Sequence, residues 1–164
     1  MLSSHHISSL APAALYRPDP LGVATQQDVY TSCSNLLFEH GFINNVGKFS
    51  RSLMERDLMG PTIVPDLKFA IPHGQDESVL QPCVSVCMFS DPIEFKTPFV
   101  TAMVQKVFLF CLPLGFEGHP AYPTLQAFSA LLANPAFIGE ISASTPYEDF
   151  CHQAGAAMLA GTHH

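Results

Sequence analysis

The chain has 164 residues and a formal net charge of −7, with 48% hydrophobic and 13% charged residues. This length and mean hydropathy fit one globular domain with a substantial buried core and exclude a disordered chain. An acidic chain is not expected to bind nucleic acid or to insert into a membrane, and no apolar run approaches the roughly 18 residues that span a bilayer. No secretory pattern precedes the domain, so we expect a cytoplasmic location.

The two ends of the chain carry little periodic signal. Residues 1–20 contain serines, prolines and the pair His5 and His6, and they predict a flexible or loosely docked N-terminal arm. Residues 161–164 are expected to form a C-terminal tail, which leaves residues 21–160 as the folded domain. Neither His5 and His6 nor the terminal pair His163 and His164 offers the three or four ligands of a zinc site.

Helices are predicted at several places by capping residues and by apolar residues at helical spacing. The first follows Thr25, with Asp28 three residues after the cap, and the last follows Thr145 and Pro146, with Glu148 in the same position. The predicted ranges are 26–40, 47–58, 123–133 and a final helix that starts at Pro146.

Strands are predicted between these helices, at residues 68–73, 83–89 and 106–112. The last of these runs has no polar alternation, which is typical of a central strand covered on both faces. The dipeptide Asp91-Pro92 is expected to end the strand before it. Strands interleaved with helices predict an α/β fold, in which one domain holds a mixed β-sheet flanked by helices on both faces.

The five cysteines are odd in number and include no C-x-x-C pair. Most of them fall in apolar strand or helix patterns, so we expect buried thiols and no disulfide framework. They are Cys33, Cys83, Cys87, Cys111 and Cys151.

The segment Lys68-Phe69-Ala70-Ile71-Pro72-His73-Gly74 is the strongest candidate for a site. Pro72 fixes its own φ and biases Ile71 toward extended geometry, and Gly74 is expected to let the chain turn after His73. An imidazole at a strand end is mostly neutral at pH 7, because its ordinary pKa is about 6.5. The segment therefore predicts a nucleophilic histidine. A solvated loop histidine is the alternative from these residues alone.

This segment resembles the active-site signature of sugar phosphotransferase system IIA components of the fructose/mannitol type. That signature combines a helix ending in Glu-Arg-Glu or similar, a glycine, and an Ala-Ile-Pro-His strand end. Here these elements are Glu55-Arg56-Asp57, Gly60 and Ala70-Ile71-Pro72-His73. A second histidine, His119, follows 46 positions later, where the family carries its second active-site histidine. The segment Pro92-Ile93-Glu94-Phe95 is similar to the galactitol-type branch.

The resemblance implies a phosphocarrier that accepts a phosphoryl group on His73. The donor would be the histidine-containing phosphocarrier protein, and the acceptor a IIB component, in sugar or polyol uptake. His119 would stabilise the transferring group and Arg56 would bind its oxygens; no cofactor is required.

Three alternatives remain open from the sequence. A regulatory binding module of the same fold would use phosphorylation without feeding transport. A metal site would use His73 and His119 with a carboxylate from Asp76, Glu77 or Glu117. Finally, Arg56 alone is also typical of a solvated cation at a helix C-terminus.

Overall fold

The structure is a computed structural model that describes residues 4–161, and within this range the chain forms six helices and six strands. The helices are α1 (Ser4–Leu10), α2 (Gln26–Glu39), α3 (Val46–Asp57), α4 (Tyr122–Leu131), α5 (Pro135–Glu140) and α6 (Tyr147–Gly161). The strands are β1 (Tyr16–Pro18), β2 (Ile63–Val64), β3 (Phe69–Ala70), β4 (His73–Gln75), β5 (Cys83–Lys96) and β6 (Thr101–Leu112).

The strands form one mixed sheet built on the long antiparallel pair of β5 and β6. Its order is β1-β5-β6-β3-β2, and β4 also pairs with β6. Strand β1 runs parallel to β5, and β3 and β4 run parallel to β6. Strand β2 is antiparallel to β3 at the far edge. The predicted mixed sheet is confirmed.

Strand β6 separates two hydrophobic cores, one on each face of the sheet. Successive side chains of a strand point to opposite faces, and residues 107–112 are all buried. Phe108, Phe110 and Leu112 join the core beneath α1, α4, α5 and α6. Val107, Leu109 and Cys111 join the core beneath α2 and α3. Helices therefore cover both faces, as the unbroken apolar run predicts.

Local sequence signals place several helix ends correctly. Thr25 caps α2 in a capping box, in which its hydroxyl accepts from the Asp28 N–H at 3.0 Å and the Asp28 carboxylate accepts from the Thr25 N–H at 3.1 Å.

The predicted strand end at Asp91-Pro92 is wrong, because β5 continues to Lys96 through a register shift between Met88 and Ile93. Extra residues at a bulge let a strand pass a proline without losing its partner.

The N-terminal segment, for which the sequence predicts a flexible or loosely docked arm, packs on the domain in the structure from residue 4 onward. Helix α1 buries Ile7 completely and packs against α6, and β1 adds a strand to the sheet. The Tyr16 hydroxyl donates to the carbonyl of Thr145 at 2.6 Å, and the Tyr147 hydroxyl donates to that of Ala11 at 2.8 Å. Residues 4–20 thus belong to the fold. Of the expected C-terminal tail, Gly161 ends α6, and His163 and His164 lie outside the described residues.

The outer edge of β5 is covered by groups that follow β1 in the chain. Asp19 has a positive φ of 44°, which turns the chain after β1. Its N–H donates to the Met88 carbonyl at 2.7 Å, and its carboxylate accepts from the Ser90 N–H at 2.7 Å. Farther along, the Gln26 side chain accepts from the Lys96 N–H at 2.9 Å. Side chains thus satisfy the backbone N–H groups of Ser90 and Lys96, which β1 does not reach.

All five cysteines are buried and unbridged, so the expectation of buried thiols is confirmed. The Sγ atoms of Cys33 and Cys87 lie 3.6 Å apart in the core beneath α2. Among the described residues, no helix combines the length and the apolar character needed to cross a membrane.

Candidate functional site

His73 opens strand β4 and does not end the strand before it. Strand β3 stops at Ala70, the chain passes through Ile71 and Pro72, and β4 then pairs with β6 so that His73 lies opposite Phe110. The Pro72 carbonyl accepts from the Phe110 N–H at 2.8 Å, so the segment between β3 and β4 stays hydrogen-bonded to the central strand β6. Proline has no N–H to offer a ladder, so the two short strands are separated at this point.

The imidazole of His73 is held in one tautomer by the backbone. Its Nδ1 lies 2.7 Å from the carbonyl oxygen of Ile71. A carbonyl oxygen only accepts, so Nδ1 carries the proton and Nε2 keeps a lone pair in the neutral ring. The ring also packs on Phe110, with centroids 4.9 Å apart.

The surroundings of His73 favour its neutral form. Burial lowers the pKa of His73 below its ordinary value of 6.5, the hydrogen bond to Ile71 raises it, Arg56 lowers it and Asp57 raises it, in that order of size. Burial has this effect because it penalises the charged imidazolium. At pH 7 the group is therefore mainly a neutral base with an available lone pair.

A cavity of about 210 Å³ opens beside His73, on the face of the sheet that α4 covers. Aromatic residues Phe110, Phe116 and Tyr122 form much of its wall. Polar groups also line it, including Glu117 and Gln126, whose side-chain amide donates to the Tyr122 hydroxyl at 2.9 Å. This is room for one small group carried by another molecule, next to the imidazole.

Gly74 has a packing role in place of the turning role that its sequence suggests. It continues strand β4 and has no positive φ. A Cβ at this position would lie 2.3 Å from Cε1 of Phe49, a fully buried residue of α3. Glycine is needed here because the helix ring rests directly on the strand backbone. The close approach fixes the strand that carries His73.

We expect Gly74→Ala to lower the free energy of unfolding by about 1–3 kcal/mol or more, because the added methyl group overpacks the contact with Phe49. Urea unfolding would measure the loss. Gly118→Ala is the matched control, since no atom lies within 4 Å of a Cβ built there. Phe49→Leu combined with Gly74→Ala should recover part of the loss relative to the sum of the single changes. Equal stability of the two glycine variants would contradict the packing role.

Arg56 lies in the last turn of α3, close enough to act electrostatically on His73. Its Nη1 donates to the carbonyl of Gly60 at 3.3 Å. The next residue, Asp57, is a buried carboxylate that accepts from the Tyr30 hydroxyl at 2.6 Å and from the Thr62 hydroxyl at 2.7 Å. Sequence reasoning missed Asp57 as a group with an effect on His73, although its place beside Arg56 in Glu55-Arg56-Asp57 was the available signal.

Replacing Arg56 should change the titration of His73 in a defined direction. We expect Arg56→Gln to raise the pKa of His73, because the guanidinium lowers it, and Asp57→Asn to lower it further. Histidine NMR titration measures both shifts. Arg51→Gln is the matched control, because Arg51 is an exposed cation on the same helix and is no cause of the His73 shift.

The same shift predicts a pH dependence of stability. The unfolded chain titrates this histidine near 6.5 and the folded chain at a lower pH, so between these values the unfolded state binds more protons. The contribution of neutral His73 is therefore complete above pH 6.5 and is lost as the pH falls through the folded pKa. In Arg56→Gln the folded pKa of His73 should lie closer to 6.5, so the pH interval over which this contribution to stability is lost should be narrower. An unchanged His73 titration in Arg56→Gln would contradict the electrostatic contact.

His119 follows a short 3-10 turn at Phe116–Gly118, and its ring stacks on Phe116 with centroids 5.8 Å apart. Its Nδ1 accepts from the Ala121 N–H at 3.0 Å, so the proton of the neutral ring is on Nε2. Phe116 also lines the cavity beside His73. Phe116 therefore stacks on the His119 ring and lines the cavity that His73 also lines. In the neutral rings, Nε2 of His73 carries a lone pair and Nε2 of His119 carries a proton.

The carboxylates considered as metal ligands do not assemble with the histidines. Asp76 accepts from the Ser78 N–H at 2.9 Å, and Glu77 pairs with Lys48. Glu117 lines the same cavity as His73. Across residues 4–161, no group of three or more His, Cys, Asp or Glu side chains is arranged to hold a metal ion.

Comparison with solved structures identifies the class of fold. The mannitol enzyme IIA of Escherichia coli, solved in complex with phosphorylated mannitol enzyme IIB, superposes with a TM-score of 0.68 at 14% identity, over 90% of this chain and 99% of that one. The nitrogen regulatory protein IIA-Ntr of Neisseria meningitidis gives 0.65 at 19% identity, over 93% and 98%. The mannitol-specific cryptic phosphotransferase enzyme IIA of Escherichia coli gives 0.66 at 12% identity, over 92% and 99%. The fold is that of enzyme IIA proteins.

The sequence itself places the chain in a family. Residues 20–153 match the model of the phosphoenolpyruvate-dependent sugar phosphotransferase system EIIA 2 family, and the chain belongs to that family. No curated protein matches the sequence significantly. The resemblance to fructose/mannitol IIA components is confirmed, while the galactitol-type branch stays a prediction.

Proposed function

We propose that this protein accepts a phosphoryl group on Nε2 of His73 and passes it on to a IIB component. One observation carries the assignment: the Ile71 carbonyl fixes the proton on Nδ1, which leaves the lone pair on Nε2 of an imidazole that burial keeps neutral. The cavity beside the ring has room for a phosphoryl group at the tip of a donor side chain. Membership of the EIIA 2 family supports the proposal.

Each of the two transfer steps forms one bond to phosphorus and breaks one. The Nε2 lone pair of His73 attacks the phosphorus of a phosphohistidine donor, and the donor N–P bond breaks with its electrons returning to the donor imidazole. In the second step a thiolate of IIB attacks the phosphorus on His73, and the neutral imidazole leaves. Throughout, the Ile71 carbonyl stabilises the charge that develops on the ring, because Nδ1–H remains its donor.

The proposed donor is the histidine-containing phosphocarrier protein, and the proposed acceptor is a IIB component in sugar or polyol uptake. The solved complex of mannitol enzyme IIA with phosphorylated enzyme IIB supports a IIB partner. We place the exchange in the cytoplasm on the basis of the family. The same fold in nitrogen regulatory protein IIA-Ntr keeps a regulatory role as the second candidate.

Arg56 and His119 are proposed to stabilise the phosphoryl oxygens during transfer. Negative charge spreads over these oxygens in the transition state, and preorganised donors in a water-poor site lower the barrier. Arg56 supplies a fixed positive charge whose effect reaches His73. His119 supplies an Nε2–H, because its Nδ1 is engaged by the Ala121 N–H.

Two substitutions of His119 test whether its Nε2–H donates to the phosphoryl group, because they place a side-chain amide N–H at two different distances from the backbone. We expect His119→Asn to slow phosphoryl transfer by about 30-fold to 1000-fold, since one charge-assisted donor in such a site contributes roughly 2–4 kcal/mol. The longer amide of His119→Gln reaches the position of Nε2 and should recover part of the rate. Stopped-time phosphorylation of both variants measures this. Equal rates for Asn, Gln and the unaltered protein would return His119 to a solvated loop histidine.

The test of the whole proposal is reconstitution with phosphoenolpyruvate, enzyme I, the phosphocarrier protein and a panel of IIB domains, followed by intact mass. We expect one phosphoryl group on the chain and its loss on addition of the matching IIB. Phosphorylation without transfer to any IIB would favour the regulatory candidate. A chain that gains no phosphoryl mass would overturn both.

A further inference from the structure

A second cavity, of about 340 Å³, lies away from His73, where β5 and β6 lose register. Phe89 and Ser90 line it from β5, and Gln105 and Lys106 from β6. The loop after α5 closes it with Ile141, Ser142, Ala143 and Ser144. Lys106 precedes Phe110 by four strand residues on the same face, which places it about 13 Å along β6 from the residue that contacts His73. The cavity is therefore separate from the phosphoryl site.

Lys106 brings an unbalanced positive charge to this cavity. Its side chain is half-buried, and burial lowers the pKa of Lys106. In the described part of the chain the only ion pair joins Lys48 and Glu77, so no carboxylate there balances Lys106. Its Nζ donates to the carbonyl of Ile138, which uses one of the three ammonium donors. A half-buried ammonium without a counter-ion is costly, and a bound anion would offset that cost.

Serine and glutamine residues line the same cavity as Lys106. The Oγ atoms of Ser142 and Ser144 lie 2.9 Å apart, so one hydroxyl donates to the other and the second proton stays available. Gln105 also lines the cavity. Ser90 is already engaged, because its hydroxyl donates to Asp19 at 2.5 Å. The Asp19 carboxylate is therefore next to Ser90. Because its negative charge repels an anion, we expect an anion to bind nearer Lys106 and Ser142.

We propose that this cavity is a binding site for a small organic anion, in which Lys106 binds a phosphate or carboxylate group and the serine and glutamine side chains bind hydroxyl groups of the same molecule. The volume matches the smaller end of known small-molecule sites. Ligands of this class are hydroxylated metabolites such as sugar phosphates and sugar acids. The site does not depend on His73 being phosphorylated.

Titration of ¹⁵N-labelled protein tests the site directly. Glucose 6-phosphate and gluconate supply the phosphate and the carboxylate arm, and glucose is the neutral arm. We expect at least one anion to shift the amide signals of Lys106, Ser142 and Ser144 in a saturable way, with glucose far weaker. Shifts confined to His73 and Gln75 would place anion binding at the phosphoryl site instead and overturn the proposal, as would equal binding of glucose.

Charge variants identify the group that binds the anion. Lys106→Gln should weaken binding by about 10-fold to 100-fold, because a charge-assisted contact is lost. Lys96→Gln is the matched control, since Lys96 is an exposed cation at the end of β5 and is expected to leave binding unchanged. Equal affinities of the two variants would overturn the role of Lys106. If Lys106→Gln fails to fold, the unaltered protein still tests the site. Amide signals of Ser142 and Ser144 that do not shift at high anion concentration would refute it.

Discussion

His73→Ala is expected to abolish phosphorylation of the chain completely. The side chain is the only group in the proposed step that forms a bond to phosphorus, so no residual transfer by electrostatic stabilisers can replace it. Intact mass after incubation with phosphoenolpyruvate, enzyme I and the phosphocarrier protein measures the result. The adduct of the unaltered protein should be acid-labile and stable in alkali, and its ³¹P signal should be that of the Nε2 isomer, because Nδ1–H is bonded to Ile71.

His152→Ala is the matched control for this experiment. His152 is an exposed histidine on α6, and its loss should leave the phosphoryl mass unchanged. Two outcomes would contradict the assignment. His73→Ala that still gains one phosphoryl group would move the acceptor to another residue, and an Nδ1-linked adduct would show that the contact with the Ile71 carbonyl is broken before transfer.

Ile7→Ala is expected to destabilise the fold by about 2–5 kcal/mol, as for other aliphatic residues truncated in a core. Ile7 is 0% exposed and belongs to the core that also contains Phe110, the ring against His73. The lost methyl and methylene groups leave a cavity between α1 and α6, which rigid neighbours fill only in part. Urea unfolding at equilibrium gives the free energy.

Leu21→Ala provides the control for the same end of the chain. Leu21 is 96% exposed, so its replacement should change stability by less than about 0.5 kcal/mol. If Ile7→Ala behaves like Leu21→Ala, the N-terminal segment adds little to stability, as expected for the flexible or loosely docked arm that the sequence predicts. Retained phosphorylation in a destabilised Ile7→Ala protein would show that the segment acts on stability and not on chemistry.

Signals confined to a few neighbouring residues made much of the fold predictable. The Thr25 and Asp28 capping box marks the start of α2, and the unbroken apolar run at residues 107–112 marks the central strand. Both are local, because a cap depends on residues within one turn and a doubly covered strand depends on its own composition. The order of α2, α3, β5, β6, α4 and α6 follows from such signals, whereas α1, α5, β1 and β2 were not predicted.

Features that depend on distant residues were not predictable in the same way. Gly74 is compatible equally with a turn and with close packing, and only the position of Phe49 on α3 decides between them. Helix α1 has seven residues, too few to display a helical period, and its burial depends on α6 at the other end of the chain. For the site, the positions of His73 and His119 could be proposed from the motif. Their tautomers depend on the Ile71 carbonyl and the Ala121 N–H.

Because the outer edge of β5 is covered, a strand of another chain cannot readily pair with it. A strand of 14 residues with free backbone groups would be a template for strand addition and for amyloid-like growth. Here β1 pairs with Val86–Met88, and the side chains of Asp19 and Gln26 take the N–H groups of Ser90 and Lys96. Association through this edge is thereby discouraged, so we expect partner chains, including the proposed IIB component, to bind side-chain surfaces elsewhere on the molecule.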